Sequence, residues 1–316
     1  MAYLAAGSFP NGWLAFELGV LRRLKFNSVA LPLTGEPHLS VQLKRWRVRV
    51  AANDPMIWAY TKAVALVENA DEKLTEDEIA SVLQDAYVPR DKLDNPSLAK
   101  WFNESDAWWL DNLRFNAERF ESEFKRAIAL TLGMMVGDYV LSFDKDTQLL
   151  REPLSLSKVF RQMAELLPYP HDNSLLNKST NQNLRDFVAE RQHTDLLFLS
   201  LPTPIIQSEP ARPALSGWRE EWLRGGDHFW AEFERQRMGR LGAAVQSKQQ
   251  YLGYVEDLLR TASHIPAWAI SHTENGFITS DELVETISPI RKVDAVYTKD
   301  FSDLLGVRAS IITAGR

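Results

Sequence analysis

A short apolar segment, residues 196–199, follows Asp195 and is closed by Pro202 and Pro204. An apolar run of this length between turn residues is typical of a buried strand in a parallel sheet. Ligands of open α/β sheets bind just beyond the carboxyl ends of such strands. We therefore predict a strand over 195–199, and a site, or the remains of one, over 200–204.

Residues 28–54 show the pattern of a strand–turn–helix–strand unit. The predicted elements are a strand over 28–31, a turn over 33–38, a helix over 39–45 and a second strand over 48–52. This order forces the two strands to run parallel. Asp54 follows the second strand and is placed to accept hydrogen bonds from a ribose. A solvated Asp54 in an ordinary α/β turn is the alternative interpretation.

The middle of the chain has the apolar spacing of helices rather than of strands. Helices are predicted over 55–69, after the capping-box pair Thr75 and Glu78, within 97–143, and over 156–167. We therefore expect residues 70–180 to form an all-helical insertion domain for specificity or interactions, with its own core. Residues 1–69 and 181–316 are expected to form the α/β domain around it.

The α/β pattern returns near residue 183. Several prolines predict a loop or lid over 202–217, and helices follow over about 218–240 and 244–262. The last predicted elements are a strand over 267–271, a tight turn over 274–276, a helix capped by Thr279 and Glu282, and a strand over 292–297.

A set of short motifs lies in order along the two α/β pieces. They are Leu33-Thr-Gly-Glu-Pro37, Leu43-Lys-Arg45, Asn53-Asp54 and, after Asp186, Ser200-Leu-Pro-Thr203. In this order and spacing the chain resembles the Dam-like (alpha-class) DNA adenine-N6 methyltransferases. That family's pattern runs Phe-Ala-Gly-Ser-Gly, Leu-Lys-Arg, Asn-Asp, an acid that binds the cofactor adenine, and Asp-Pro-Pro-Tyr. The resemblance covers about 25–70 and 183–300.

The resemblance implies an α/β fold in which a Rossmann-like methyltransferase sheet is interrupted by the helical insertion. It also implies S-adenosylmethionine as the cofactor. The positions that match the family's cofactor-binding residues are Leu33, Gly35, Asp54 and Asp186. The positions that match its catalytic motif are Ser200, Leu201, Pro202 and Thr203.

The departures from the family pattern fall on the chemistry. Ser200 brings no negative charge to the target amine, Leu201 replaces a proline, and Thr203 cannot stack on a flipped base. Pro37 stands where a glycine lets the backbone close around the methionine of the cofactor. Asp54 and Asp186 persist. The part of the pocket that would bind the nucleoside of the cofactor therefore fits the family better than the parts for its methionine and for the target base. The sequence leaves two alternatives for S-adenosylmethionine: its binding is retained, or it has been lost.

Composition restricts which partners and metals the protein could bind. The net charge is -6, so contact with DNA must come from a local patch rather than from overall charge. Basic residues cluster between 22 and 49, and Arg45 and Arg47 are the candidate phosphate contacts, with a solvated helix face as the alternative. The chain has no cysteine, which excludes disulfides and thiolate metal sites. Its histidines show no metal-ligand spacing, so we expect no metal.

Three functions remain open from the sequence. The first is a catalytically inactive methyltransferase-like protein that binds DNA or supports a catalytic partner in a modification or phage-defence system. The second is an active DNA adenine methyltransferase with a divergent Ser-Leu-Pro-Thr motif. The third is a protein-interaction module without cofactor. No apolar run is long enough to span a membrane and no basic signal-peptide segment opens the chain, so we expect a cytoplasmic protein.

Overall fold

A mostly parallel β-sheet forms the centre of the fold. The computed structural model describes residues 12–143, 147, 154–206, 216–274, 276–302 and 306–315. The strands in this part of the chain are β1 Ser28–Leu31, β2 Arg49–Asn53, β3 Lys178–Thr180, β4 Leu196–Ser200, β5 Ile205–Ile206, β6 Ala244–Val245, β7 Ala267–Glu274, β8 Val293–Phe301 and β9 Val307–Ala314. Seven of them form one sheet in the order β3-β2-β1-β4-β7-β9-β8.

Helices cover both faces of the sheet. Those in the described residues are α1 Trp13–Leu21, α2 His38–Arg45, α3 Ile57–Ala63, α4 Glu76–Val82, α5 Glu104–Ala117, α6 Glu123–Leu141, α7 Leu156–Leu166, α8 Leu184–Ala189, α9 Gly217–Arg224, α10 Trp230–Arg237, α11 Lys248–Thr261 and α12 Ser280–Ile287. A π-helical turn, Val64–Glu68, extends α3.

Strand β4 lies in the middle of the sheet because its side chains are apolar on both faces. Leu196 and Phe198 pack into one core with α1 and α2, while Leu197 and Leu199 pack into the core on the opposite face. β4 pairs in parallel with β1 on one side and with β7 on the other. Successive strands are added on one side of β1 up to β3 and on its other side from β4 onward. Such a topological switch point forms a ligand crevice at the carboxyl ends of the strands.

Near the other end of the sheet, β9 runs against its neighbours. β9 is antiparallel to both β7 and β8, which are therefore parallel to each other. The described part of the chain is thus an α/β structure compatible with a Rossmann-like fold, as the sequence predicted at this coarse level.

Most of the predicted elements are confirmed, several of them within about one residue. The helix predicted over 244–262 begins at Lys248, and the strands predicted over 267–271 and 292–297 extend to Glu274 and Phe301. The strand predicted over 195–199 is β4, and the strands predicted over 28–31 and 48–52 are β1 and β2. Both capping boxes are present: Thr75 and Glu78 begin α4, and Thr279 and Glu282 begin α12. Asn275, in the predicted tight turn, and 207–215, in the predicted lid, lie outside the described residues.

Several features differ from the predictions. The helices α1 and α8 and the strands β3, β5, β6 and β9 were not predicted, and β3 lies inside the segment that we expected to be an all-helical insertion. The single helix predicted over 218–240 is two helices, because Gly225 has a left-handed φ of 77° and ends α9. The helical core also includes residues on both sides of 70–180, among them Trp58, Trp218 and Trp222.

Helix α6 meets α9 through two glycines. A Cβ built on Gly133 would overlap the side chains of Leu113 and Trp222, and one built on Gly137 would overlap the ring of Trp218. The absence of a side chain therefore lets two large indoles lie directly on the backbone of α6. Close approach of this kind makes the contact sensitive to a single methyl group.

We expect Gly137→Ala to lower the free energy of unfolding by about 1–3 kcal/mol, because the new methyl group overpacks the Trp218 contact. Gly253→Ala in α11 is the matched control, since a Cβ there meets nothing within 4 Å. That control should be neutral or stabilise by up to about 1 kcal/mol through helix propensity. Urea denaturation measures both. Equal effects of the two substitutions would contradict this account of the α6–α9 contact.

Candidate ligand cleft at the carboxyl edge of the sheet

A cleft opens where the strands β1, β2 and β4 end. Leu33, Pro55 and Pro202, which follow these strands, form one wall. The other walls are formed by the first turn of α8, by residues between 236 and 242, and by part of α11. The cavity volume is about 100 Å³. Sites for drug-sized ligands are typically about 300–1,000 Å³, so the space present is small.

Asp54 lies beside this cleft but faces the backbone. Its side chain is buried, and its two carboxylate oxygens accept hydrogen bonds from the backbone N–H groups of Gly35 at 2.9 Å and Met56 at 2.9 Å. Burial raises the pKa of Asp54 to about 6. Gly35 has a left-handed φ of 53°, which directs its amide toward the carboxylate. Asp54 therefore ties the end of β2 to the turn after β1, and its predicted contact with a ribose stays a prediction.

The first turn of α8 lines the cleft, but Asp186, the residue predicted there, is not among the lining residues. The side-chain oxygen of Asn183 caps α8 by accepting from the backbone N–H groups of Arg185 and Asp186. Asn183, Leu184 and Arg185 line the cleft. Asp186 is exposed, and its carboxylate accepts a hydrogen bond from the Asn183 side chain. The predicted segment is thus at the cleft, with Arg185 rather than Asp186 among the lining residues.

The motif at the end of β4 is also at this edge. Ser200 is half-buried and lies opposite Ser271 of β7, and the backbone N–H of Leu201 donates to the Ser271 carbonyl at 2.9 Å. Pro202 lines the cleft, and its carbonyl accepts from the Tyr251 hydroxyl at 2.7 Å. Thr203 is exposed. The segments that carry Asp54, Asp186 and Ser200 therefore surround one cleft, although these three side chains do not line it.

The turn after β1 ends in a partly buried cluster of charges that sequence reasoning missed. The Glu36 carboxylate accepts from Lys62 Nζ at 2.8 Å and from Arg219 Nη1 at 2.8 Å. Arg219 also donates from Nε and Nη2 to Asp138 at 2.8 and 2.6 Å. Burial opposes ionisation of Glu36, but the two cations outweigh it and lower its pKa. Arg219 is 183 residues from Glu36 in the chain, so no local motif signals the contact.

A second buried acid, Glu17 of α1, lies on the same face of the sheet as Ser200. Its carboxylate accepts from the Trp13 indole N–H at 2.9 Å and from the Ser271 hydroxyl at 3.4 Å. The side chain is buried, and burial raises its pKa to about 7. A hydrophobic helix with one acid could have signalled a buried carboxyl, but α1 itself was not predicted.

Arg45 and Arg47 lie at the amino ends of the strands, on the side of the sheet opposite the cleft. Helix α2 carries the chain from the carboxyl end of β1 back to the amino end of β2, and Arg45 is its last residue. Both arginines are exposed, whereas the neighbouring Lys44 is buried and donates to the Asn69 carbonyl at 2.6 Å. The structure therefore does not bring the predicted DNA contacts to the cleft.

The described residues contain no group of three or more His, Cys, Asp or Glu side chains that could hold a metal ion. No helix in the same residues is long and apolar enough to cross a membrane.

Comparison with protein-family models gives no match for this chain, and comparison with curated proteins gives none either.

Glu17 makes stability depend on pH. The folded state holds the Glu17 proton up to about pH 7, against an ordinary pKa of 4.5, so ionisation favours the unfolded chain as pH rises through this range. Glu17→Gln removes the titration. The stability of this variant relative to the native protein should rise between pH 4.5 and 7, by at most about 3 kcal/mol at roughly 1.4 kcal/mol per pKa unit.

Urea denaturation across this pH range measures the difference. Glu285→Gln, at an exposed position in α12, is the control and should follow the native pH profile. If Glu17→Gln and the native protein show the same dependence on pH, burial of the Glu17 carboxyl does not have this effect.

Proposed function

We propose that this chain is a DNA adenine methyltransferase-like protein that has lost methyl transfer. In this proposal it serves as a DNA-binding or partner-supporting subunit of a modification or phage-defence system. The order of the strands carries the proposal, and the chemistry of the cleft supports the loss of activity.

In the Rossmann order the first strand is central, with the second and third on one side and the fourth and fifth on the other. The sheet here follows this order with β1, β2, β3, β4 and β7. The antiparallel β9 then stands between β7 and β8, which is the arrangement expected of a methyltransferase-type Rossmann sheet. The helices α4–α7 enter between β2 and β3, as expected for a specificity block that interrupts such a sheet.

The end of β4 supports a loss of transfer. The family needs an acidic side chain and a carbonyl at this point to orient the target amine, and Ser200 supplies no charge. The carbonyl of Pro202 accepts one hydrogen bond, from Tyr251, and keeps a second lone pair. An amine placed there would therefore meet neutral acceptors only, without the carboxylate of the family pattern.

The turn after β1 supports the same conclusion for the cofactor. Lys62 and Arg219 are cations that a cofactor carboxylate could use, but Glu36 occupies both. The cavity of about 100 Å³ is also small for a whole nucleoside with its methionine. We therefore infer that S-adenosylmethionine binds weakly or not at all.

The basic residues at the amino edge of the sheet support DNA binding without catalysis. Arg22 stacks on Trp46 and Arg23 on Tyr297, near the exposed Arg45 and Arg47. A duplex held there would lie on the side of the sheet away from the cleft. Contact of this kind suits a supporting subunit better than an enzyme that must draw a base into its cleft.

Methyl transfer tests the loss of activity. With labelled S-adenosylmethionine and adenine-containing DNA, we expect the native protein to transfer no more label than Ser200→Ala. The triple variant Ser200→Asp, Leu201→Pro, Thr203→Tyr restores the family motif and should be measured beside them. Label on DNA from the native protein above the Ser200→Ala level would show an active enzyme and defeat the proposal.

DNA retention tests the second half of the proposal. We expect Arg45→Glu combined with Arg47→Glu to weaken binding of a labelled duplex at about 50 mM salt at least tenfold, because phosphate contacts are lost. Lys92→Glu combined with Lys158→Glu is the matched control, since both lysines are exposed in the helical segment and the change in net charge is the same. Equal retention by the two double variants would remove the amino edge as the DNA contact.

A further inference from the structure

The cleft at the carboxyl edge is lined by three arginines. Arg185 comes from the first turn of α8, Arg237 is the last residue of α10, and Arg240 follows it. Among the lining residues that the structure describes, Asp257 is the one acid. Arg185 and Arg240 are exposed, and neither forms an ion pair with a residue in the described part of the chain.

Arg237 is held in place on the wall of the cleft. Its guanidinium donates to the Gly242 carbonyl, pairs with Glu234 at 3.5 Å, and lies near the buried Asp54. Gly239 and Gly242 have left-handed φ angles of 73° and 93°, which let the chain turn tightly enough for Arg237 and Arg240 to face one cavity. The cationic side chains thus converge from two segments that are about fifty residues apart in the chain.

The described lining residues include three arginines and one acid, a local excess of basic side chains in a protein whose net charge is -6. Guanidinium groups form bidentate hydrogen bonds with phosphate, which makes arginine the preferred partner of that group. S-adenosylmethionine has no phosphate, and its one carboxylate is offset by a positive sulfonium and an ammonium group, so a cluster of three arginines suits a phosphate better. The ring of Tyr254 and the side chains of Leu33 and Leu184 add apolar surface beside the arginines, suited to a base or ribose.

We propose that this cleft binds the phosphate group of a nucleoside phosphate, with Arg185, Arg237 and Arg240 as its ligands. The cavity of about 100 Å³ holds the phosphate, and the nucleoside extends along the apolar wall formed by Tyr254. The inference does not depend on whether the chain transfers methyl groups, because it concerns a different class of ligand.

Calorimetric titration of the full chain with AMP, inorganic phosphate and adenosine tests the proposal. AMP and inorganic phosphate should bind, and adenosine, which lacks the phosphate, should bind at least tenfold more weakly than AMP. Arg185→Gln combined with Arg240→Gln should weaken AMP at least tenfold, since each lost contact is a charge-assisted hydrogen bond. The native unfolding temperature should be kept, because both side chains are exposed.

Arg235→Gln combined with Arg260→Gln is the matched control. These exposed arginines lie on α10 and α11, and they pair with Glu232 and Glu256 away from the cleft lining. AMP affinity in this control should equal that of the native protein. The proposal is overturned if AMP shows no binding at about 1 mM, if adenosine binds as tightly as AMP, or if the control loses as much affinity as the cleft variant.

Discussion

The ion pairs of Arg219 connect the parts of this protein. One guanidinium joins Glu36, in the turn after β1, to Asp138, in the long helix α6. Burying charges has a desolvation cost, so such pairs add little net stability, but removal of one partner typically costs about 3–5 kcal/mol. The arrangement therefore fixes the position of the turn after β1 relative to the helical core more than it strengthens either.

Helix α9 contains three consecutive charged residues that are all buried. Arg219, Glu220 and Glu221 are all buried between Trp218 and Trp222, and each has partners. The Glu220 carboxylate accepts from the backbone N–H groups of Ile57 and Trp58 at the start of α3, while Glu221 accepts from the indoles of Trp101 and Trp230. The indoles of α9 belong to the helical core, while Arg219 reaches the turn after β1.

Sequence reasoning succeeded where the signal is local. The strand–turn–helix–strand unit and the apolar β4 follow from periodicity and from turn residues within a few positions of each other. β3 escaped prediction because Lys178, Ser179 and Thr180 are polar and its pairing with β2 is decided by the rest of the sheet. The segments that carry the motifs lie around the cleft. The motifs did not identify Arg185, Arg237 and Arg240, because no short motif links α8 to the end of α10.

The pairing of β1 with β4 has a consequence for how the molecule folds. The carboxylate of Asp195, just before β4, accepts from the backbone N–H of Ser28, a contact between residues 167 positions apart. Closing so long a loop costs chain entropy before the contact can contribute any favourable energy. The pair β1–β2 and the helical segment involve much shorter loops and can assemble first. The centre of the sheet is therefore expected to form late in folding, and the apolar edge of β1 stays open to aggregation until β4 covers it.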